Sequence, residues 1–238
     1  MKYLKEVKKQ YDKKRSIYDR FINLPKKEIT HNKGYLIRYI EHNFNIAKDY
    51  TLLDIGAGNG TMVYNSKADV KIIFDRDDYY EHQFYDDGIL FHKINVSKDT
   101  FPLDDNSVDV ITINHVIEHL SDYQTMMTEC KRVLRPNGLL IISTPDIAAG
   151  RLRLDFWNGR PTRFDFWSDP THLKPYTIKG IKRLFNMFDF QISKVGHTPP
   201  LEYILLCLCV SDKIESWLNK YYERIGKSNI LIIGKNKR

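Results

Sequence analysis

His115-Val116-Ile117-Glu118-His119 sets two imidazoles and a carboxylate within five positions. Imidazole titrates near neutrality, so a histidine here can take the proton of a hydroxyl as that oxygen reacts. Read as His-x-x-Glu-His, the same residues match the inverted zinc-peptidase pattern, which belongs on a long helix of a different fold. A third reading leaves the histidines as capping or bridging groups. The segment follows a strand candidate, at the carboxyl end where open α/β sheets place their ligands.

A second constellation is Leu52-Leu53-Asp54-Ile55-Gly56-Ala57-Gly58-Asn59-Gly60, a buried strand running into a glycine-dense turn and a helix. Without a Cβ the chain turns sharply and brings backbone amides against a ligand. Asp75 ends the next strand about 20 residues on, the position from which a carboxylate grips a ribose diol. On these two features alone, nicotinamide and flavin binding also fit.

Arg151 to Trp167 contains four arginines and five aromatic rings. Rings stack on a sugar or base, and guanidinium forks suit phosphate or carboxylate. The segment either binds a bulky, anionic acceptor, with Trp157, Arg163, Trp167 and Tyr176 as contacts, or buries its rings against the sheet. Tyr203 to Val210 is apolar on all sides but too short to span a bilayer, so it reads as a buried helix, a dimer face or a membrane-surface contact.

The elements that position these groups follow from periodicity. Helical spacing covers Tyr3 to Ile22 and Tyr35 to Phe44. Strand-like runs then alternate with helices: Thr51 to Asp54, Val70 to Asp75, Ile89 to Lys93, Val108 to Asn114 and Leu139 to Thr144. Two more, Phe190 to Val195 and Ile230 to Gly234, flank a helical region from Leu201 to Arg224. This is a parallel βαβ pattern, with Pro136-Asn137-Gly138 and Pro199-Pro200 as turns.

Four blocks carry a resemblance to the class I S-adenosylmethionine-dependent methyltransferases, of the group with ubiquinone-biosynthesis and glycan-modifying O-methyltransferases. They are Asp54 to Gly60, Asp75, Phe101 to Val110, and Arg132 to Ile142. The resemblance implies an α/β fold, a Rossmann-like seven-stranded, mostly parallel sheet with helices on both faces and the last strand antiparallel. It implies that Asp54, Gly56, Ala57, Gly58, Gly60, Asp75, Arg76, Asn95, Val96, Asn114 and His115 hold S-adenosylmethionine. His115, His119 and His172 become candidate bases. The segment also resembles the Glu-x-x-Glu-His motif by which small-RNA 2′-O-methyltransferases hold a divalent metal, with Glu118, His119 and His172 as ligands here. His115 replaces the first glutamate of that motif, which favours zinc or a transition metal over magnesium.

At 238 residues the chain fits one domain, with residues 1–48 as a helical segment packed on a catalytic region, 49–238. The net charge of +7 sits largely in lysine and arginine clusters at the two ends. No apolar stretch is long enough for a membrane span and no secretory signal is evident, so a cytoplasmic location is expected. Cys130, Cys207 and Cys209 read as buried thiols. The expected reaction is O-methylation of a sugar hydroxyl in a glycan or sugar-nucleotide precursor, which Asp169-Pro170-Thr171-His172 to Thr177 resembles. Alternatives are a phenolic or quinone-precursor acceptor, an RNA 2′-OH, and a cofactor-binding regulatory subunit; a homodimer is the expected assembly if one forms.

Overall fold

The computed structural model describes residues 35–46, 49–148, 171–198 and 229–237. The expected first helix, the arginine and aromatic segment with Trp157, Arg163 and Trp167, the Pro199-Pro200 turn, the 201–224 region, Cys207 and Cys209 lie outside them.

The elements are α1 (Tyr35–Asn43), β1 (Thr51–Ile55), α2 (Thr61–Asn65), β2 (Val70–Asp75), α3 (Glu81–Asp86), β3 (Leu90–Lys93) and β4 (Val108–Asn114). A 3-10 turn (Ile117–His119) follows, then α4 (Gln124–Val133), β5 (Leu134–Pro145), α5 (Ile178–Met187), β6 (Phe190–Thr198) and β7 (Asn229–Asn236). The strands form one 7-stranded sheet in the order β3-β2-β1-β4-β5-β7-β6. Strands β1 to β5 pair in parallel, and β7 runs antiparallel to both β5 and β6. The chain moves outward from β1 through β3 and returns on the other side at β4, so the order reverses between β1 and β4 and opens a crevice there.

Both faces are covered, which is why the central strands are apolar at nearly every position. Leu53, Ile55, Phe74, Ile111, Ile113, Leu140, Ile142 and Ile232 pack against Met126, Met127 and Val133 of α4 and Ile181 and Phe185 of α5. The alternate positions Leu52, Ile73, Val110, Ile141, Leu231 and Ile233 pack against Ile37 and Ile40 of α1, Met62 and Val63 of α2 and Phe84 of α3. Each such residue, fully buried, contributes about 1.5–3 kcal/mol.

Arg132 ties the approach to β4 onto α4: it donates to Glu129, to the carboxylate of Asp105 and to the carbonyls of Leu103 and Phe101. The expected turn at Pro136-Asn137-Gly138 lies inside β5. The chain bulges there, with Asn137 at φ 64°, yet the ladder continues from Val110↔Leu139 back to Val108↔Leu134. Cys130 is a buried free thiol, and burial pushes its pKa up.

Candidate active site

The crevice is floored by the turn after β1. The Gly56 amide donates to the Phe74 carbonyl at 2.7 Å and the Gly60 amide to the Ala57 carbonyl at 3.0 Å. Gly56 stands at φ +69°, and a Cβ there would overlap Val116 Cγ2. The segment after β4 therefore packs directly on the glycine turn. Gly58, at φ +53°, has nothing within 4 Å of where a Cβ would stand, so it leaves the crevice open. Its amide donates to Asp75 Oδ2 at 3.1 Å.

Asp54 is 1% exposed. Its Oδ1 accepts the Thr112 hydroxyl at 2.7 Å, while Oδ2 has no hydrogen-bond partner among the described residues. Burial pushes this carboxyl up to about 7; the Thr112 bond opposes the rise and the charge of Asp75 adds to it. A buried acceptor without a donor is costly. A cationic amino group in the crevice would supply the missing partner, so the residues present fit an amino-acid-bearing nucleoside. Arg76 and Asn114 are exposed at the ends of β2 and β4. Past β3, Asn95 accepts the Ser97 amide, and Val96 is buried in the core.

Beyond β4 the His115 amide donates to the Ser143 carbonyl at 2.9 Å, and the chain then turns with His115 at φ 56°, a left-handed value few non-glycine residues adopt. The 3-10 turn carries Glu118, 2% exposed. Its Oε2 accepts the Thr144 hydroxyl at 3.0 Å, and its Oε1 lies 3.2 Å from His115 Nδ1. His119 Nδ1 is 3.0 Å from the Thr171 carbonyl. A carbonyl only accepts, so Nδ1 carries the proton and Nε2 keeps its lone pair. In neutral His115 the carboxylate places the proton on Nδ1, and the Asn229 side-chain amide, 3.2 Å from Nε2, occupies the remaining lone pair.

Residues 171–174 are strapped to this turn: the Leu173 and Lys174 amides donate to the Glu118 carbonyl at 2.8 and 3.1 Å, and Lys174 Nζ donates to the Ser121 carbonyl at 2.7 Å. The strap sets the His172 ring 4.8 Å from that of His119. One ligand atom from each of Glu118, His119 and His172 lies within 4.8 Å of the others. One carboxylate and two imidazoles make a donor set that suits zinc or a similar transition metal. Tyr176 is buried, with its hydroxyl unpartnered among the described residues. Burial raises its phenol, and the charges of Tyr123 and Glu118 add to this.

The structure thus brings together His115, Glu118, His119 and His172, adjacent to the turn holding Asp54 to Gly60. Thr144, Asn229 and the Thr171 carbonyl, which orient the cluster, escaped the sequence reading. So did a pair formed by Asp146 and His197, 3.0 Å apart. Extending the alternation of β5 beyond Thr144 would have reached Asp146; no local signal marks Asn229.

An open sheet with a glycine turn at its reversal point and an antiparallel β7 beside β5 defines a Rossmann-like α/β protein, a fold that holds its ligands at this crevice. Comparison narrows this: the family described as "Methyltransferase domain" matches residues 29–195, and the chain belongs to that family, class I by its fold. It is 36% identical over 91 residues to a "Probable S-adenosylmethionine-dependent methyltransferase" of Mycolicibacterium smegmatis, a match covering 38% of this chain and 32% of that one. It is 27% identical over 118 residues to the ubiquinone biosynthesis O-methyltransferase of Rickettsia bellii, covering 47% of this chain and 48% of the relative. The matches thus span a third to a half of these relatives. The YcgJ protein of Bacillus subtilis shares the fold with a TM-score of 0.59 at 18% identity, covering 85% of this chain and 98% of that one.

Proposed function

We propose that the chain is an S-adenosylmethionine-dependent O-methyltransferase with a hydroxyl acceptor. The carrying observation is the His119 Nε2 lone pair, fixed by the Thr171 carbonyl in a segment packed on the glycine turn. S-adenosylmethionine supplies a methyl group already activated on a sulfonium. Asp54, Gly56, Ala57, Gly58, Gly60, Asp75, Arg76, Asn95, Val96, Asn114 and His115 would hold it, with Asp54 Oδ2 as the buried anion for its amino group. The protein's main task is to align the acceptor oxygen, which supplies about 7–11 kcal/mol of barrier reduction at best. His119 takes the hydroxyl proton, for roughly 100-fold to 10,000-fold more. His115 serves less well, because Asn229 occupies its acceptor nitrogen.

The acceptor we favour is a sugar hydroxyl, a weakly acidic group that needs a positioned base. A phenolic acceptor is the second reading, favoured by the likeness to the Rickettsia bellii enzyme. A metal is the alternative use of the same lone pair: were Glu118, His119 and His172 to hold a divalent ion, His119 Nε2 would be a ligand and not the base, and the ion would make a bound hydroxyl more acidic. Of the expected helical segment 1–48, the described helix α1 places Ile37 and Ile40 against the sheet.

The test is release of S-adenosylhomocysteine from a panel of sugar nucleotides and catechols, with and without chelator. Turnover that falls at least 100-fold in His119→Gln, with cofactor affinity retained, is expected. Full turnover in that variant would remove His119 as the base, and cofactor binding with no turnover on any acceptor would favour a regulatory subunit. Sensitivity to chelator would support the metal, and full activity in chelator would exclude it.

A further inference from the structure

Thr144, Ile230 and His197 lie in register across β5, β7 and β6, so their side chains share one face of the sheet. Asp146, two residues past Thr144, returns to the same face. There Asp146 Oδ2 meets His197 Nε2 at 3.0 Å, and Oδ1 accepts the Ala148 amide at 2.9 Å. The Asp146 side chain is 5% exposed and that of His197 24%. Thr144 is also the residue whose hydroxyl holds Glu118. One polar row therefore runs along the carboxyl edge of the sheet, from the His119 and Glu118 cluster through Thr144 to Asp146 and His197.

Stability does not account for this pair. A buried carboxylate is costly to desolvate, and an apolar pair of equal volume at a strand end is commonly as stable or more so. What the carboxylate does is fix the ring: it accepts a hydrogen bond from Nε2–H, so the neutral imidazole keeps a lone pair on Nδ1, on a side chain still open to solvent. This is the arrangement that orients a base or acceptor in hydrolytic triads.

We propose that His197, positioned by Asp146, is a second imidazole of the acceptor half of the site, accepting a hydrogen bond at Nδ1 from a hydroxyl of the acceptor. The proposal rests on the methyltransferase reading and extends it to an acceptor recognised at both ends of the polar row. His197 is the residue in contact and Asp146 the positioning residue.

The test reads the imidazole ¹⁵N resonances of the full chain saturated with S-adenosylhomocysteine, the His197 signals being assigned by their loss in His197→Gln. Wild type should show the Nε2–H tautomer. Titration with catechol or a sugar nucleotide at millimolar concentration should shift Nδ1. Asp146→Asn should weaken that response at least fivefold, and Asp146→Glu should restore part of it. His197→Gln should raise the acceptor KM at least tenfold while leaving cofactor affinity within twofold. Hydroxyl compounds that leave the His197 ring unmoved, whether they shift other residues or none, would overturn the proposal, as would the opposite tautomer. Failure of the methyltransferase reading would appear separately, as absence of calorimetric heat with either form of the cofactor.

Discussion

Asp54→Asn should remove a pH dependence from the fold and weaken the site. Burial raises this carboxyl from an ordinary 3.8 to about 7. The folded chain therefore holds a proton that the unfolded chain has released, and stability falls as pH rises between those two values. The slope is about 1.4 kcal/mol per pH unit, so wild type without cofactor should lose about 3 kcal/mol between pH 5 and pH 8 through this group. Asparagine retains the acceptor for the Thr112 hydroxyl and does not titrate. Its side-chain amide leaves two N–H donors unpaired, where protonated Asp54 at pH 5 leaves one O–H, each at about 1–3 kcal/mol. The variant's stability should be flat across this range, so its difference from wild type should move in the variant's favour by about 3 kcal/mol from pH 5 to pH 8. Urea unfolding at the two pH values, with m unchanged, measures this. Calorimetry should meanwhile show S-adenosylmethionine binding weakened about 10-fold to 100-fold, the loss of one charge-assisted hydrogen bond. A wild-type stability that is flat from pH 5 to pH 8, or a variant that binds as tightly, would refute the reasoning.

The Arg132–Glu129 pair should give wild type the opposite pH dependence, which Arg132→Ala removes. Arg132 holds the Glu129 carboxyl below its ordinary value, the Phe101 amide helping and burial opposing. This contribution is present above pH 4.5 and lost as pH falls further. Removing the arginine should cost about 2–3 kcal/mol at pH 7 and flatten the acid limb of the unfolding curve. Gly56→Ala places a Cβ against Val116 at φ +69° and should cost about 2–4 kcal/mol, read by thermal melting; Gly56→Ala with Val116→Ala should recover part of it. Thr144→Val removes a donor to buried Glu118 and should slow turnover more than it changes cofactor affinity, measured by steady-state kinetics beside calorimetry.

The frame of the sheet was readable because its strands alternate between two apolar faces, as Leu52 and Leu53 or Ile141 and Ile142 do. The sequence reading ended these strands early wherever polar or small residues take over. Strand β6 continues through Gly196, His197 and Thr198, and β7 begins at Asn229, so the residues that strand ends bring to the site went unread. The Pro136-Asn137-Gly138 segment is not the expected turn, although Asn137 has the left-handed backbone of one. Pairing with β4 nonetheless keeps the segment in the sheet. His115, Glu118 and His119 stood out because they are neighbours in sequence. Their partners Thr144 and Asn229 lie 26 and 114 positions away from Glu118 and His115, a separation that only the folded sheet closes.

The central claim is that the glycine turn, Asp54 and Asp75 seat the methyl donor next to the imidazole cluster. Isothermal calorimetry of the purified chain with S-adenosylmethionine and S-adenosylhomocysteine tests it most directly. Saturable one-to-one binding of both, lost in Asp75→Ala and weakened in Asp54→Asn, is the predicted result. Absence of heat with either compound, or affinity indifferent to both aspartates, would contradict it.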